Sequence, residues 1–292
     1  MKPKIAVIGG SLREQIVMDT LQKNGAYLSS FGTERPGNNE APSPEAALTN
    51  AEALLLPVRS NRKDGMVEGT SEKCPIALSE EGLGSMKEGA VIYCGIASTP
   101  LRRMAEHTGH PLKEIMEEDA VAVPNALLTA EGTLAYIMEH SPRSLTELTV
   151  AIFGYGRVGK ACATLLRSVG CRVVIFCRRG EDIRHGREKA LDMRYYSGAP
   201  SILGKTDYLI NTVPAKIIDG ALLSALSPSG SILELASTPG GIDRKAAEEQ
   251  GISVTALPGL PNRHAPVSAG NILAAYYLDA LKPLLGGDSK CD

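Results

Sequence analysis

Short apolar runs rich in β-branched residues recur along the chain and alternate with stretches in which apolar positions stand three and four apart. The runs fall at 5–8, 26–30, 53–56 and 90–94, then at 150–153, 173–177, 193–196, 207–211, 231–235 and 253–256. Runs this short read as strands buried on both faces, and the stretches between them read as helices with one apolar face. Strand alternating with helix predicts parallel sheets, and the two groups of runs predict two of them. The stretch NNEAPSPEAALTN (38–50) reads as a loop entering a short helix.

The run at 150–153 carries the most specific pattern. It leads into Gly154-Tyr155-Gly156-Arg157-Val158-Gly159, then a helix to about Val169, then the run at 173–177. Strand, glycine turn, helix and second strand at this spacing form a dinucleotide-binding unit. The first glycine permits the tight turn, the second lets backbone approach a pyrophosphate, and the third lets helix and strand pack closely. The pyrophosphate would sit on the helix N-terminus, where unpaired N–H groups and the dipole favour an anion. A carboxylate closing the second strand would take a ribose 2′-hydroxyl and exclude a 2′-phosphate. Arg178 and Arg179 stand there instead, which favours NADP(H) over NAD(H), although Glu181 or Asp182 could still reach a ribose. The ends of two later strands, at Thr212, Val213 and Pro214 and at Ala236 and Ser237, should face the nicotinamide half.

The expected fold is thus α/β, two Rossmann-like doubly wound parallel-sheet domains with an interdomain cleft. An N-terminal flavodoxin- or Rossmann-like substrate domain covers 1–125, a linking helix 126–143, and the dinucleotide-binding domain 144–267, with a C-terminal helix at 268–286 returning to complete the first domain. The run at 5–8 also ends on two glycines, Gly9 and Gly10, before a helix, but the third glycine is missing. It reads as the first strand of a flavodoxin-like sheet rather than as a second nucleotide turn.

Ligands of open α/β sheets bind beyond the carboxyl ends of the strands. There the chain places Arg59, Arg62 and Lys63 after one strand and Ser98, Thr99, Arg102 and Arg103 after another. Arg59 and Ser98, nearest the strand ends, are the candidates to grip a carboxylate. In the segment between the domains Pro124 is expected to stop one element and Thr129 to cap the next. Asn125, Thr129 and Glu131 then lie at a hinge, with Glu131 in a first helical turn that the dipole favours for an acid.

Composition narrows the partners. With 292 residues, a formal charge of −2 and a pI near 6.3, nothing suggests general attraction to nucleic acid or to a membrane surface. Six cysteines include no C-x-x-C pair, so neither a metal site nor a disulfide framework is signalled. The opening MKPKIAVIGG enters a strand directly and no run of about 18 apolar residues occurs, which reads as a cytoplasmic chain. Association into homo-oligomers is left open.

Taken in order, KIAVIGG (4–10), LLPV (55–58), CGIAS (94–98), PNALLTAEGT (124–133), FGYGRVG (153–159), INTVP (210–214), LASTPGGID (235–243) and ALPGLP (256–261) give the chain a resemblance to the A-subunit family of dipicolinate synthase over essentially its full length. That family is similar in architecture to alanine dehydrogenase and 2-hydroxyacid dehydrogenases. The resemblance implies NADP-dependent oxidation of dihydrodipicolinate to dipicolinate, pyridine-2,6-dicarboxylate. It also implies a flavoprotein-like partner, the B-subunit of dipicolinate synthase, and a setting in the mother cell of sporulating bacteria. The chain departs from the family pattern at Asn262, Arg263 and His264, where Arg263 reads as an anion contact. The loop carrying Arg59 is more basic than the family pattern.

Oxidising a dihydropyridine removes a hydride and a proton, and aromatisation supplies driving force, so the main task is to hold the ring against the nicotinamide and to fix two carboxylates. If dehydration of a hydroxylated precursor occurs on the same protein, Glu131 is the first candidate acid or base and His264 the second. Two other readings stay open: another dehydrogenase of a small carboxylate, and a nucleotide-binding assembly subunit without catalysis.

Overall fold

A computed structural model describes residues 2–58, 66–69 and 75–286. The chain divides into two compact units, Met1–Asn125 with Pro266–Asp292, and Ala126–Ala265.

The first unit is a parallel sheet of β1 (Lys4–Ile8), β2 (Tyr27–Phe31), β3 (Asn39–Glu40), β4 (Ala53–Leu55), β5 (Val91–Cys94) and β6 (Leu112–Glu114), in the order 3-2-1-4-5-6. The flavodoxin-like alternative would run 2-1-3-4-5, so this unit has the Rossmann order instead. The two edge strands were not legible as apolar runs because β3 is exposed and β6 is partly exposed, so neither needs apolar side chains on both faces. The middle strands are buried on both faces, Ile5, Ala53 and Leu55 on one side and Ala6, Ile8, Leu54 and Ile92 on the other.

The second unit repeats the plan with β7 (Thr149–Phe153), β8 (Arg172–Cys177), β9 (Asp192–Tyr195), β10 (Tyr208–Asn211), β11 (Ser231–Glu234) and β12 (Val254–Ala256). The sheet runs β12-β11-β10-β7-β8-β9, all parallel, so the strand order reverses direction between β7 and β10. That switch point is where an open sheet of this kind leaves a crevice beyond its strand ends.

The connecting helix differs from the sequence reading. It spans Asp119–His140 as one element with Pro124 inside it, not a helix begun at 126. Proline here forfeits a single bond, to the carbonyl of Ala120 near the helix start, which a long helix tolerates. Thr129 is therefore not an N-cap, and Glu131 lies well past the first turn, so the dipole gives no account of it. By length and composition this helix would also suit a membrane, but half of its apolar window is buried within the fold.

The C-terminal helix, Pro266–Ala280, belongs to the first unit and packs on Leu12–Lys23. Gly270 makes that approach possible, since a Cβ there would stand 2.7 Å from Ile16 Cδ1 and 3.1 Å from the Arg13 carbonyl oxygen. Its buried residues Leu273, Ala274 and Tyr277 extend the core over Ile5, Val7 and Leu55.

Candidate functional site

The turn after β7 is built by three glycines in three different environments. Gly154 has φ +104 and donates its N–H to the Phe176 carbonyl at 2.9 Å. A Cβ on it would meet Thr212 Oγ1 at 2.3 Å, and one on Gly159 would meet the Gly154 carbonyl oxygen at 2.2 Å. Both positions are closed to any side chain. Gly156 is the opposite case, because a Cβ there would meet nothing within 4 Å. It caps the helix Arg157–Ser168 without a side chain, and that helix has no acid in its first turn. A helix head without a side-chain cap, beside open space, is what a pyrophosphate requires, so the residues present fit a dinucleotide.

The other positions of the turn divide between core and surface. Tyr155 is buried, with the Lys160 ammonium 5.0 Å from its ring centre. Burial, followed by the charges of Asp182 and Cys177, pushes its phenol up. Val158 packs on the core and Arg157 is exposed.

At the end of β8, Cys177 is buried while Arg178 and Arg179 are exposed. Arg179 precedes the helix Gly180–Glu188, and its Nε donates to Asp182 Oδ2 at 2.8 Å. One of the two carboxylates that could reach a ribose hydroxyl, Asp182, is thus already paired with a cation. Arg178 is the second positive charge at this strand end, near enough to act on the Tyr196 hydroxyl.

Across the switch point, β10 and β11 end on Asn211 and Glu234, two buried polar residues that the sequence reading passed over. Asn211 Nδ2 donates to Glu234 Oε1 at 2.7 Å and to the Val213 carbonyl at 3.0 Å. The Val213 N–H returns a bond to Asn211 Oδ1 at 3.1 Å. Glu234 also accepts from the N–H groups of Ala236 and Gly241, at 3.1 and 3.0 Å. Thr212 donates its hydroxyl to the Phe153 carbonyl at 2.8 Å. Thr212, Val213, Pro214, Ala236 and Ser237 therefore sit on loops whose backbone is fixed from below. The available signal was a polar residue ending each of two strands straight after an apolar pair, in LIN and ILE.

In the first unit the glycine turn after β1 is closed. A Cβ on Gly9 would lie 2.2 Å from the Glu68 carbonyl oxygen, and the Gly10 N–H donates to that same oxygen at 3.0 Å. The helix beyond it is capped by its own Glu14. Arg59, Arg62 and Lys63 lie outside the described residues. Ser98 is buried and caps the helix Thr99–Thr108, its Oγ accepting the Leu101 N–H at 3.3 Å. The hydroxyl proton is left to donate elsewhere. Glu114 holds the same loop, accepting the Ala97 N–H at 2.8 Å, and pairs with Arg102 at 2.5 Å. Arg102 is thereby engaged within the fold. Burial, with Glu114 adding to it, pushes the Cys94 thiol up to about 12.

Asn125 is the last residue of the first unit's opening segment, whereas Thr129, Glu131 and Arg263 belong to the second. The second unit brings the neighbourhoods of Glu131 and His264 together. A Cβ on Gly132 would meet Leu260 Cβ at 3.0 Å and His264 Cβ at 3.4 Å, so the helix Leu260–His264 lies directly against the connecting helix. Glu131, Arg263 and His264 are all exposed. Among the described residues no group of three or more His, Cys, Asp or Glu gathers as a metal site.

A six-stranded Rossmann sheet with an open glycine turn, in a chain that holds a second sheet of the same order, defines a dehydrogenase-type oxidoreductase with a nicotinamide-dinucleotide domain. Residues 129–238 match the profile of the D-isomer specific 2-hydroxyacid dehydrogenase NAD binding domain, and residues 4–116 match that of the N-terminal domain of the dipicolinate synthase A-subunit. The chain is 31% identical to the dipicolinate synthase A-subunit of Bacillus subtilis (strain 168) over 98% of both chains. It belongs to the A-subunit family of dipicolinate synthase. The crystal structure of the dipicolinate synthase A-subunit from Bacillus halodurans superposes with a TM-score of 0.89 at 30% identity, covering 97% of this chain and 98% of that one. A D-isomer specific 2-hydroxyacid dehydrogenase from Lactobacillus delbrueckii ssp. bulgaricus, solved with NAD, shares the fold at a TM-score of 0.57 and 14% identity, with 98% of each chain covered.

Proposed function

We propose that this protein is an NADP-dependent oxidoreductase that oxidises dihydrodipicolinate to dipicolinate, as the dehydrogenase component of a dipicolinate synthase acting with a flavoprotein-like B-subunit in the sporulating cell's cytoplasm. The observation that carries the reading is the open space at Gly156, at the acid-free head of the helix Arg157–Ser168, in a chain of this family. A bound oxidised nicotinamide supplies the hydride acceptor.

In this reading the N–H groups of Gly156, Arg157 and Val158 hold the pyrophosphate between the closed glycines Gly154 and Gly159. Arg178 takes the 2′-phosphate, with Arg179 shared between that phosphate and Asp182. Thr212, Val213, Pro214, Ala236 and Ser237 border the nicotinamide. In the first unit Arg59, Ser98 and Asn125 are assigned as carboxylate contacts, Ser98 through the hydroxyl proton that its capping role leaves available; in the second, Thr129 and Arg263 are assigned as anion contacts. With an oxidised nicotinamide bound, the substrate would give up a hydride to it and a proton to solvent, and would become aromatic. Glu131 is the residue assigned to acid–base work in a dehydration of the hydroxylated precursor on this protein.

The test is to incubate the purified chain, with and without its flavoprotein-like partner, with NADP+ and freshly generated precursor, and to follow the pyridine product by ultraviolet absorbance. Product from the chain alone is expected and would exclude a purely scaffolding role. Cofactor binding without product in either mixture would overturn the assignment.

A further inference from the structure

We infer that Asn211 and Glu234 are positioning residues for the nicotinamide end of the bound dinucleotide, holding the loops at 212–214 and 236–241 as one unit. The inference rests on the proposal that a dinucleotide occupies the glycine turn. It starts from register: Asn211 and Glu234 are directly paired at the last rung between β10 and β11. They are 0% and 5% exposed.

A buried carboxylate opposes folding unless its oxygens are satisfied, and an apolar pair at such a rung would pack without that penalty. What the polar pair adds is direction. Glu234 accepts three N–H donors, from Asn211, Ala236 and Gly241, and Asn211 clips both backbone groups of Val213. These loop groups lie beyond the strand ladder, which ends at the Asn211 and Glu234 rung. The two loops are joined once more where the N–H groups of Ile217 and Ile218 converge on the Gly241 carbonyl, at 3.1 and 3.0 Å.

The clamp reaches the glycine turn through Thr212 and Val213. A Cβ on Gly154 would meet Thr212 Oγ1 at 2.3 Å and Val213 Cγ2 at 2.8 Å, so a shift of either is transmitted to the first glycine. Glu234→Gln keeps shape but turns one acceptor into a donor that faces N–H groups. The loops would then lose a shared anchor while the β7, helix and β8 elements stay in place. The adenosine half of the site should be untouched and the nicotinamide half loosened.

The experiment compares two pairs of ligands, the members of each pair differing only by the nicotinamide. Titration calorimetry is run with NADPH against 2′-phospho-ADP-ribose, and with NADH against ADP-ribose, on the wild type and on Glu234→Gln, with thermal melting as a check of folding. The expected result is a loss of about tenfold or more for the nicotinamide-bearing ligand, equivalent to ~1.4 kcal/mol, with the ADP-ribose ligand within about twofold. Equal losses for both, or no loss in a folded variant, would overturn the inference while leaving the cofactor proposal standing. A wild type that binds none of the four would overturn the cofactor proposal itself. If Glu234→Gln does not fold, Gly241→Ala gives the same test. Its Cβ would press on the Val213 carbonyl oxygen and on Asn211 Nδ2, spreading the loops without burying a new polar group.

Discussion

Glu14 closes the helix that Ser11 opens: its Oε2 accepts the Ser11 N–H at 2.8 Å and the Ser11 hydroxyl at 2.9 Å. This pair separates two sheets of the same strand order. In the first unit the helix head is filled by the protein's own carboxylate, whereas in the second the head at Gly156 carries no side chain. An anion is attracted to a helix N-terminus only where the N–H groups can still turn to it.

The contrast predicts opposite phenotypes for two small changes. Glu14→Ala should lower stability by about 3 kcal/mol in urea unfolding, because it removes a cap and leaves Arg13 buried without its carboxylate. Dinucleotide affinity should stay within about twofold of wild type. Gly159→Ala should leave the first unit intact and weaken reduced dinucleotides by more than about a hundredfold in a fluorescence titration. Its Cβ cannot coexist with the Gly154 carbonyl. Dinucleotide binding that survives Gly159→Ala would place the cofactor elsewhere.

Cofactor choice turns on the charges after β8. Arg178→Ala should weaken NADPH by about tenfold, close to the ~1.5 kcal/mol of a hydrogen bond to a charged group, and leave NADH unchanged. Asp182→Asn should release Arg179 from its ion pair and tighten NADPH. Equal losses for the two cofactors in the Arg178 variant would refute the assignment of NADP.

Alkaline pH should destabilise the fold through its buried thiols. Burial is the main cause that pushes Cys94 and Cys162 from 9.0 up to about 12. A thiol whose value is raised in the folded state keeps a proton that the unfolded chain has already released. Its stabilisation is complete below pH 9 and is lost as pH rises from about 9 to about 12. The expected slope is roughly 1.4 kcal/mol per pH unit for each thiol, read from urea midpoints across that range. Cys94→Ala with Cys162→Ala should make it shallower, with the remainder left to the other buried thiols and to tyrosines such as Tyr276 and Tyr277 that burial also pushes up; an unchanged slope would assign alkaline unfolding to those groups alone.

Much of the plan was written locally. Apolar runs such as AVI and VAIF could be read as strands because each lies inside its sheet and needs apolar side chains on both faces. Gly154, Gly156 and Gly159 could be read because their spacing imposes a turn whatever surrounds it. Asn39 and Leu112 could not, since β3 and β6 are short edge strands, exposed or partly exposed, without an apolar run, whereas the edge strands β9 and β12 of the second sheet do carry one. Pro124 misled for a related reason: whether proline ends a helix depends on how much helix precedes it, and the start at Asp119 has no strong cap signal.

The sequence by itself determined the α/β class, the two sheets and the glycine turn, because short-range sterics and hydrophobic alternation act between residues a few positions apart. The tertiary structure alone decided that the Glu68 carbonyl closes the first turn, that Thr212 lies against Gly154, and that Asn211 and Glu234 join two loops. Those relations depend on hydrogen bonds and contacts between groups that only the folded sheet brings within about 3 Å of one another.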